Sequence, residues 1–335
     1  MKIEPDYPLL THNTFGIAAK CRWFIEYSSV TELQTVLRDE YFRELPWLHI
    51  GGGSNLLFVN DFDGVVLHSA IKEITVVDEN ANFVELFAGA AVVWDNLVAH
   101  CVENNWYGTE NLSLIPGETG AAAVQNIGAY GVEIKDLIRS VQTVDVASGQ
   151  EIWIDCENCL YGYRESIFKS ELKGQKVVTG IRLRLSKKER YSLEYGNIKE
   201  KLQNIPLSLK GVREAIIAIR NEKLPDPKEH GNAGSFFMNP SVEKDFFDKL
   251  KSQHPNAPGY PFKNGLVKIP AAWLIEQCGW KGKREGNVGV WQKQPLVLVN
   301  YGNATGKEIA ALADAIKQSV AGKFGIDIAP EVLYV

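Results

Sequence analysis

A stretch rich in glycine and alanine, near the middle of the chain, restricts what the sequence can fold into. Residues 115–131 read IPGETGAAAVQNIGAYG, with four glycines and a run of alanines. A core strand favours larger side chains, and glycine is costly inside a helix. Such a stretch exposes backbone N–H groups and allows a flat or anionic ligand to approach closely. The alternative interpretation is a turn between strands packed through its Gly and Ala residues.

The charges near this stretch limit how it could hold a ligand. No Lys or Arg lies between Leu114 and Ile134, so a phosphate bound here would depend on main-chain dipoles. The whole chain of 335 residues has 36 basic and 41 acidic side chains, a net charge of −5. This balance disfavours nucleic acid and anionic membranes as partners. A chain of this length also predicts two or three folding units.

The termini, apolar runs and cysteines indicate a cytoplasmic protein without membrane insertion. The N-terminus has no basic-then-apolar targeting pattern, and no apolar run is long enough to cross a bilayer. The five cysteines form a sparse, odd set typical of reduced thiols. Cys156 and Cys159 form a CxxC without a second pair, so we interpret them as structural or incidental and expect no metal site.

A second glycine loop follows a short apolar strand. Residues 47–50 are predicted as a buried strand that leads into Gly51-Gly52-Gly53-Ser54-Asn55 and a further apolar run at 56–59. The pattern predicts either another loop for ligand approach or a tight hairpin. Its spacing does not match G-x-G-x-x-G at the start of a helix, so a Rossmann fingerprint is not supported.

The remaining periodicities predict an α+β fold and not a doubly wound parallel sheet. Hairpins are predicted at 74–77 with 83–87 and at 141–146 with 151–154, and a strand at 176–185. Predicted helices lie at 30–37 after a Ser28 or Ser29 cap, at 93–104, at 211–222, after a Ser241 cap, between Pro270 and Gly279, and from the Thr305–Glu308 capping box to Phe324. Residues 199–209 are the best linker candidate.

Three polar residues are candidates for chemistry, each with a simpler alternative. Arg164, in GYRESIF, could bind a carboxylate in a bidentate fork, or could pair at the surface with Glu165 or Glu171. Ser235, in GNAGSFFMNP, is accessible but lacks the nucleophile-elbow pattern. It could donate a proton, or the loop could be a helix-entry turn. Glu331 lies between a proline and an apolar strand. Its carboxylate is expected either to pair with another group or to have a shifted pKa.

Taken in order, these segments resemble the UDP-N-acetylenolpyruvoylglucosamine reductases, flavoenzymes of peptidoglycan precursor synthesis. The resemblance runs from about residue 12 to the end of the chain. The matching segments are HNTFG at 12–16, GGGSNLL at 51–57, IPG through QNIGAYG at 115–131, GYRESIF at 162–168, KLPDP at 223–227, GNAGSFF at 231–237 and PEV at 330–332. LEYGN at 193–197 resembles the tyrosine-bearing loop of the type I branch.

The resemblance implies a fold, a reaction and a domain plan. It implies a two-part FAD-binding domain of the vanillyl-alcohol-oxidase (PCMH) type, at residues 1–67 and 68–205, and an α+β substrate-binding domain at 206–335 that closes over the flavin. The implied reaction is NADPH-dependent reduction of an enolpyruvyl ether to UDP-N-acetylmuramate. We expect non-covalent FAD, NADPH as co-substrate, small-molecule partners only and a monomer.

The resemblance also implies roles for individual residues. Arg164 and Glu331 would stabilise the enolate-like charge, with a raised pKa at Glu331, and Ser235 would donate the proton. The implied FAD contacts are Gly51, Gly52, Gly53, Ser54, Asn55, Leu56, Pro116, Gly117, Gly120, Ala121, Ala122, Asn126, Ile127, Gly128 and Tyr130. The implied substrate contacts are Tyr163, Tyr195, Lys223, Asn239, Tyr260, Lys268, Lys281 and Gln294.

Two features of the flavin loop differ from the pattern of the family. Glu118-Thr119 fills a variable pair, and Ala121-Ala122-Ala123 stands where hydroxyl side chains are often found. The loop would therefore rely on N–H groups. Two other classes remain as alternatives: an oxidase of the same superfamily with covalently bound flavin, and a non-catalytic UDP-sugar-binding module.

Overall fold

Short strands and helices alternate along the chain in this computed structural model, which describes residues 1–335 apart from the side chain of Asn204. The strands are β1 (Lys2–Pro8), β2 (Lys20–Tyr27), β3 (Trp47–Ile50), β4 (Leu56–Leu57), β5 (Phe62–Ser69), β6 (Ile74–Glu79), β7 (Phe83–Gly89), β8 (Gly128–Ala129), β9 (Val132–Glu133), β10 (Ile138–Asp145), β11 (Glu151–Asp155), β12 (Lys176–Ser186), β13 (Ser241–Val242), β14 (Tyr260–Pro261), β15 (Val267–Lys268), β16 (Arg284–Glu285), β17 (Val288–Val290), β18 (Leu298–Asn300) and β19 (Leu333–Tyr334).

The helices complete the α+β composition. They are α1 (Val30–Arg38), α2 (Glu40–Arg43), α3 (Trp94–Glu103), α4 (Thr119–Gln125), α5 (Ile198–Lys201), α6 (Leu209–Lys223), α7 (Lys244–Gln253), α8 (Ala271–Gln277) and α9 (Gly306–Phe324). Single 3-10 turns lie at Leu10–His12, Glu110–Leu112, Ile134–Asp136, Cys156–Cys159, Leu202–Asn204 and Lys263–Gly265.

The chain divides into two units. Unit 1 comprises Met1–Tyr7, Cys21–Gly53 and Asp63–Glu222, and unit 2 comprises Pro8–Lys20, Ser54–Phe62 and Lys223–Val335. The predicted three-part plan, with boundaries after residues 67 and 205, stays a prediction.

Unit 1 contains two larger sheets and the two-stranded pair β8-β9. A four-stranded sheet has the order β1-β2-β5-β3, and β3 runs parallel to β5. A five-stranded antiparallel sheet has the order β11-β10-β12-β7-β6, and it contains both predicted hairpins and the predicted strand at 176–185. The α+β prediction is therefore confirmed. The sequence 47–59 is not a tight hairpin, because β3 pairs with β5 whereas β4 pairs with β19.

Helices cover these sheets with apolar faces at the predicted spacing. Leu33, Val36 and Leu37 of α1 join a core with strand residues such as Ile25 and Val65. Ser29 caps this helix by accepting the Glu32 N–H. Burying such side chains contributes about 1.5–3 kcal/mol each, so the helix is held mainly by this face. Helix α3 buries the larger Trp94 in the core of the second sheet.

Unit 2 is built from short strands and three helices. Its sheets are β13-β15-β14, β16-β17-β18 and the parallel pair β19-β4. Helix α9 begins at the predicted capping box of Thr305 and Glu308 and ends at Phe324. The predicted Ser241 cap is wrong: Ser241 lies in β13, and Glu243 occupies the N-cap of α7. Pairing of Ser241 with Lys268 prevents Ser241 from starting a helix.

Of two further predictions, the structure modifies the linker and confirms the helix that begins at Pro270. The linker candidate at 199–209 contains α5 and a 3-10 turn, because Ile198 is buried with Val212, Ile216 and Ile219 of α6. Helix α8 spans Ala271–Gln277, with Pro270 at its N-cap, as predicted. Within the described part of the chain, no helix is long and apolar enough to cross a membrane.

Candidate cofactor and active site

The two glycine loops of the sequence pack directly on each other in unit 1. A Cβ atom built on Gly51 would lie 3.1 Å from Glu118 Oε2 and 3.3 Å from Ala121 Cβ. A Cβ on Gly52 would lie 3.5 Å from the Gly117 Cα. Side chains at these glycines would therefore crowd the contact between the two loops, and Gly53 and Gly117 also have positive φ values of 63° and 119°.

Part of the long glycine–alanine stretch is helical, in contrast to its composition. Thr119–Gln125 forms α4, which is held against the turn after β7. The Gly120 N–H donates to the Ala90 carbonyl, and a Cβ on Gly120 would lie 2.8 Å from the Ala90 Cβ. Small residues allow this close approach, and the tertiary contact outweighs the poor helix propensity of glycine.

The loops satisfy a simple test for a diphosphate cradle. In the described structure, the N–H groups of Gly51, Gly52 and Gly53 donate to no backbone carbonyl. Peptide donors without an internal acceptor suit an anionic ligand. These loops therefore suit a group that is bound mainly by main-chain dipoles. This agrees with the absence of Lys and Arg between Leu114 and Ile134.

Asn126 ends α4 and connects it to the loop that carries Arg164. It has a left-handed backbone (φ 45°) and is fully buried. Its Nδ2 donates to the Gly162 carbonyl at 2.7 Å, and its Oδ1 accepts the Lys135 N–H at 3.2 Å. Asparagine tolerates this backbone conformation and caps several chain segments at once.

Arg164 is directed towards the same loop. Its Nη2 donates to the Gly128 carbonyl at 3.0 Å, and its Nη1 reaches the Asn126 carbonyl at 3.5 Å. Its backbone has a positive φ of 57°, an uncommon conformation for a residue with a long side chain. The guanidinium lies 5.8 Å from the ring centre of Tyr163. These contacts connect a candidate catalytic residue to the candidate flavin loop.

A basic cluster beside Tyr130 was not recognised as a site in the sequence. Arg220 is partly buried and faces Tyr130, Asp95 and Arg164. Burial lowers the pKa of Arg220, and burial raises the pKa of Tyr130. Asp95 is already engaged by Arg213 through two bonds of 2.7 and 2.8 Å. Positive charge thus exceeds negative charge here, which favours an anionic or carbonyl ligand group. In the sequence, Arg220 is one of several basic residues near Leu224, and nothing in that pattern predicts that it lies beside Tyr130.

Ser235 and Glu331 lie on paired backbone segments of unit 2. The Glu331 N–H donates to the Phe236 carbonyl at 2.8 Å, and Phe237 forms a bridge with Pro330. Asn55 Nδ2 donates to the Glu331 carbonyl at 3.1 Å, so the loop after Gly53 is attached to the same segment. Gly234, just before Ser235, has φ 67° and lies in open space. The structure therefore places two of the three predicted catalytic residues on neighbouring, hydrogen-bonded segments.

Three of the predicted substrate contacts also converge in unit 2. Tyr260 and Lys268 are cross-strand partners. Asn239 lies just before β13 in the sequence, and its Oδ1 accepts the Ala271 N–H at 2.9 Å. The Tyr260 side chain is 60% exposed. Lys281 forms an ion pair with Glu276 at 2.7 Å.

The other predicted substrate contacts each have different neighbours. Gln294 accepts the Val297 N–H through its carbonyl, and the Lys223 carbonyl accepts from the Trp291 indole. In unit 1, Tyr195 is 62% exposed, and its ring lies 6.5 Å from that of Tyr130 in an edge arrangement.

The cysteines take part in ordinary packing. Cys159 is buried and contacts the Asp155 carbonyl at 3.4 Å, whereas Cys156 contacts the Lys135 carbonyl at 3.3 Å. Burial raises the pKa of both thiols. No group of His, Cys, Asp or Glu among the described residues is arranged to hold a metal ion.

Comparison with known proteins identifies the class to which the fold and the glycine cradle belong. Residues 22–155 match the family model of the FAD binding domain. The fold is similar to that of p-cresol methylhydroxylase, with a TM-score of 0.52, 11% identity and 97% of this chain and 84% of that chain covered. The chain thus carries an FAD-binding domain, and the predicted vanillyl-alcohol-oxidase (PCMH) type of fold is confirmed.

The particular family follows from full-length relatives. Residues 226–335 match the model of the UDP-N-acetylenolpyruvoylglucosamine reductase C-terminal domain. The reductases of that name from Bacteroides fragilis strain YCH46 and Porphyromonas gingivalis strain ATCC 33277 are 52% and 48% identical to this chain. The first comparison covers 99% of this chain and all of the relative, and the second covers both chains completely.

A solved structure agrees in fold over the whole chain. The reductase from Thermus caldophilus has a TM-score of 0.71 at 22% identity, with 100% of this chain and 99% of that chain covered. The chain belongs to the UDP-N-acetylenolpyruvoylglucosamine reductase family.

Proposed function

We propose that this protein reduces UDP-N-acetylglucosamine enolpyruvate to UDP-N-acetylmuramate in the cytoplasm, with non-covalent FAD and with NADPH as reductant. The observation that carries the proposal is the full-length identity of 52% to a reductase of this name. Two contacts support it: the backbone pairing of the segments that carry Ser235 and Glu331, and the hydrogen bond from Arg164 to the Gly128 carbonyl in the flavin loop.

The residues of the cradle would hold the cofactor through their main chains. Gly51–Gly53 would supply peptide donors for the diphosphate, while Asn126 and Gly128 would order the loop that follows α4. FAD held there would supply the hydride chemistry that links NADPH oxidation to reduction of the enolpyruvyl group.

The protein must then stabilise charge and supply one proton. Hydride addition leaves negative charge on the carbon beside the carboxylate, and this charge is delocalised into an enolate-like species. Arg164 and Glu331 would stabilise that charge, the latter as a neutral donor. Ser235 would transfer its hydroxyl proton to the adjacent carbon and regain one from solvent. A serine is a weak acid, so its contribution depends on placement.

The remaining residues would bind the nucleotide part of the substrate. Tyr195, Lys223, Asn239, Tyr260, Lys268, Lys281 and Gln294 are the proposed contacts for the uridine and phosphates, together with Tyr163. Tyr260 and Lys268 are partners in one small sheet, and Asn239 lies two residues before its strand β13, which supports their assignment to a common subsite.

Two measurements test the proposal. NADPH oxidation should depend on the enolpyruvyl substrate, with one NADPH consumed for each product formed. Denaturation should release the yellow flavin from the polypeptide. Flavin that stays attached would instead indicate an oxidase with a covalent cofactor. A full flavin complement with no turnover would indicate a non-catalytic binding protein.

A further inference from the structure

The flavin cradle of this chain contains a negative charge where it should bind an anion. Between residues 115 and 132, Glu118 is the one side chain with a formal charge. It stands at the N-cap of α4, and its carboxylate lies against the site of a Gly51 Cβ. A carboxylate at this point would repel the diphosphate of FAD unless a positive charge compensates it.

A buried histidine supplies the compensation. His68 of β5 lies between two acids, with Nδ1 2.9 Å from Glu26 Oε2 and Nε2 3.6 Å from Glu118 Oε1. The side chains of His68 and Glu118 are only 11% and 12% exposed. The ring of Phe24 stacks on His68 at 6.0 Å. The imidazole therefore has a carboxylate near each nitrogen: Nδ1 is within hydrogen-bond distance of Glu26, and Nε2 is within ion-pair distance of Glu118, which favours the positively charged imidazole.

The groups around His68 favour its charged form. Burial lowers its pKa, but Glu118 and Glu26 outweigh burial, and the pKa of His68 is raised. Two other groups face this cluster from neighbouring strands. His49 of β3 is kept neutral, because burial and then His68 lower its pKa to about 3. Tyr27 of β2 bonds to His49 at 2.8 Å, and burial raises its pKa.

Glu118 connects this cluster to the cradle. One carboxylate oxygen faces His68, and the other, Oε2, is shielded from solvent and accepts no hydrogen bond from the residues that the structure describes. A Gly51 Cβ would lie 3.1 Å from that second oxygen. The Glu118 carboxylate therefore lies between His68 and the Gly51–Gly53 loop.

We propose that protonated His68 is a positioning residue for FAD: it neutralises Glu118 and fixes it between the two glycine loops, which makes FAD affinity dependent on pH. The proposal rests on FAD binding by the cradle. Neutral His68 has one N–H and cannot donate to both acids. Glu118 would then carry an uncompensated buried charge beside the diphosphate, and binding would weaken as the pH rises through the pKa of His68.

The test is the dissociation constant of FAD, measured by quenching of flavin fluorescence with apoprotein between about pH 6 and about pH 9. The expected result for the unaltered protein is a loss of affinity of about tenfold or more across this range, since one pK unit corresponds to tenfold. His68→Gln should bind weakly, with little dependence on pH. Glu118→Gln should bind as tightly as the unaltered protein does at low pH, and its affinity should not fall as the pH rises.

Controls separate this inference from the proposed function and from misfolding. His100→Gln, in α3 outside the cluster, should keep the pH dependence of the unaltered protein. Should His68→Gln not fold, as judged by circular dichroism, Glu118→Gln still decides the question. An affinity that is independent of pH in the unaltered protein, or an unchanged pH dependence in Glu118→Gln, overturns the inference. Absence of FAD binding at every pH would overturn the cofactor assignment.

Discussion

Arg213 and Asp95 form a two-bond ion pair that joins helix α6 to helix α3. The distances are 2.7 Å from Nη1 to Oδ1 and 2.8 Å from Nη2 to Oδ2. The Leu114 N–H donates to the same carboxylate. Because Leu114 directly precedes the flavin loop, this pair fixes the start of that loop to two helices.

Replacement of Asp95 by Asn should destabilise the protein by about 1–3 kcal/mol at pH 7, the range for hydrogen bonds to charged groups. Burial raises the pKa of Asp95, but bonds from Arg213 and the Leu114 N–H outweigh burial and set it below 3.8. A lowered folded-state pKa means that the stabilisation is present above the ordinary value and is lost as the pH falls through the folded one.

Urea unfolding of the two proteins from pH 7 to acid pH measures this difference. Asp314→Asn is the matched control, because its partner Lys317 lies 3.7 Å away on an exposed helix face, where such pairs contribute little. A stability difference for Asp95→Asn that stays constant down to low pH would contradict the assignment of the ion pair.

Replacement of Asn126 by Ala should destabilise the apoprotein by about 2–4 kcal/mol, since it removes the side-chain hydrogen bonds with Glu133, Gly162 and Lys135 and leaves at φ 45° an alanine, which tolerates a left-handed backbone less well than asparagine. Asn126→Gly keeps the backbone conformation and loses only the side-chain bonds. It should therefore lie between the unaltered protein and Asn126→Ala in thermal unfolding. Equal stability of the two variants would show that left-handed geometry contributes nothing here.

Ser235→Ala should separate the two half-reactions. Reduction of the flavin by NADPH should remain near normal, whereas reoxidation by the enolpyruvyl substrate should slow by about 10²–10⁴-fold, the usual contribution of a positioned acid. Stopped-flow absorbance of the flavin measures both steps. Ser241→Ala, on the exposed strand β13, should leave both unchanged. An equal fall in the two half-reactions would favour a binding or folding role for Ser235.

Arg164→Lys should lower kcat/KM for the enolpyruvyl substrate by about 10²-fold or more, as loss of one preorganised donor does. Lysine keeps the charge but cannot contact the Asn126 and Gly128 carbonyls and a substrate carboxylate with one planar fork. Arg182→Lys is the control, since that guanidinium lies over the Trp153 ring at 4.3 Å. An unchanged kcat/KM in Arg164→Lys would exclude a fork-dependent role.

Local patterns predicted most of the secondary structure correctly. The capping box of Thr305 and Glu308, the Ser29 cap and the two hairpins depend on contacts within a few residues, which the sequence displays directly. Ser241 was assigned wrongly because a serine before an apolar run can either cap a helix or pair in a strand. The cross-strand contact with Lys268 decides between the two.

The sequence by itself determined the family, the glycine loops and the absence of cationic side chains in the longer loop, because these are properties of residue identity and order. Only the tertiary structure decided that part of this loop is helical, that Arg220 is buried beside Tyr130, and that His68 lies between Glu26 and Glu118. These features depend on contacts between residues far apart in sequence. Burial and charge at such contacts outweigh local propensity. The role of Glu118 in the glycine loop therefore depends on His68, which lies fifty residues away in the sequence.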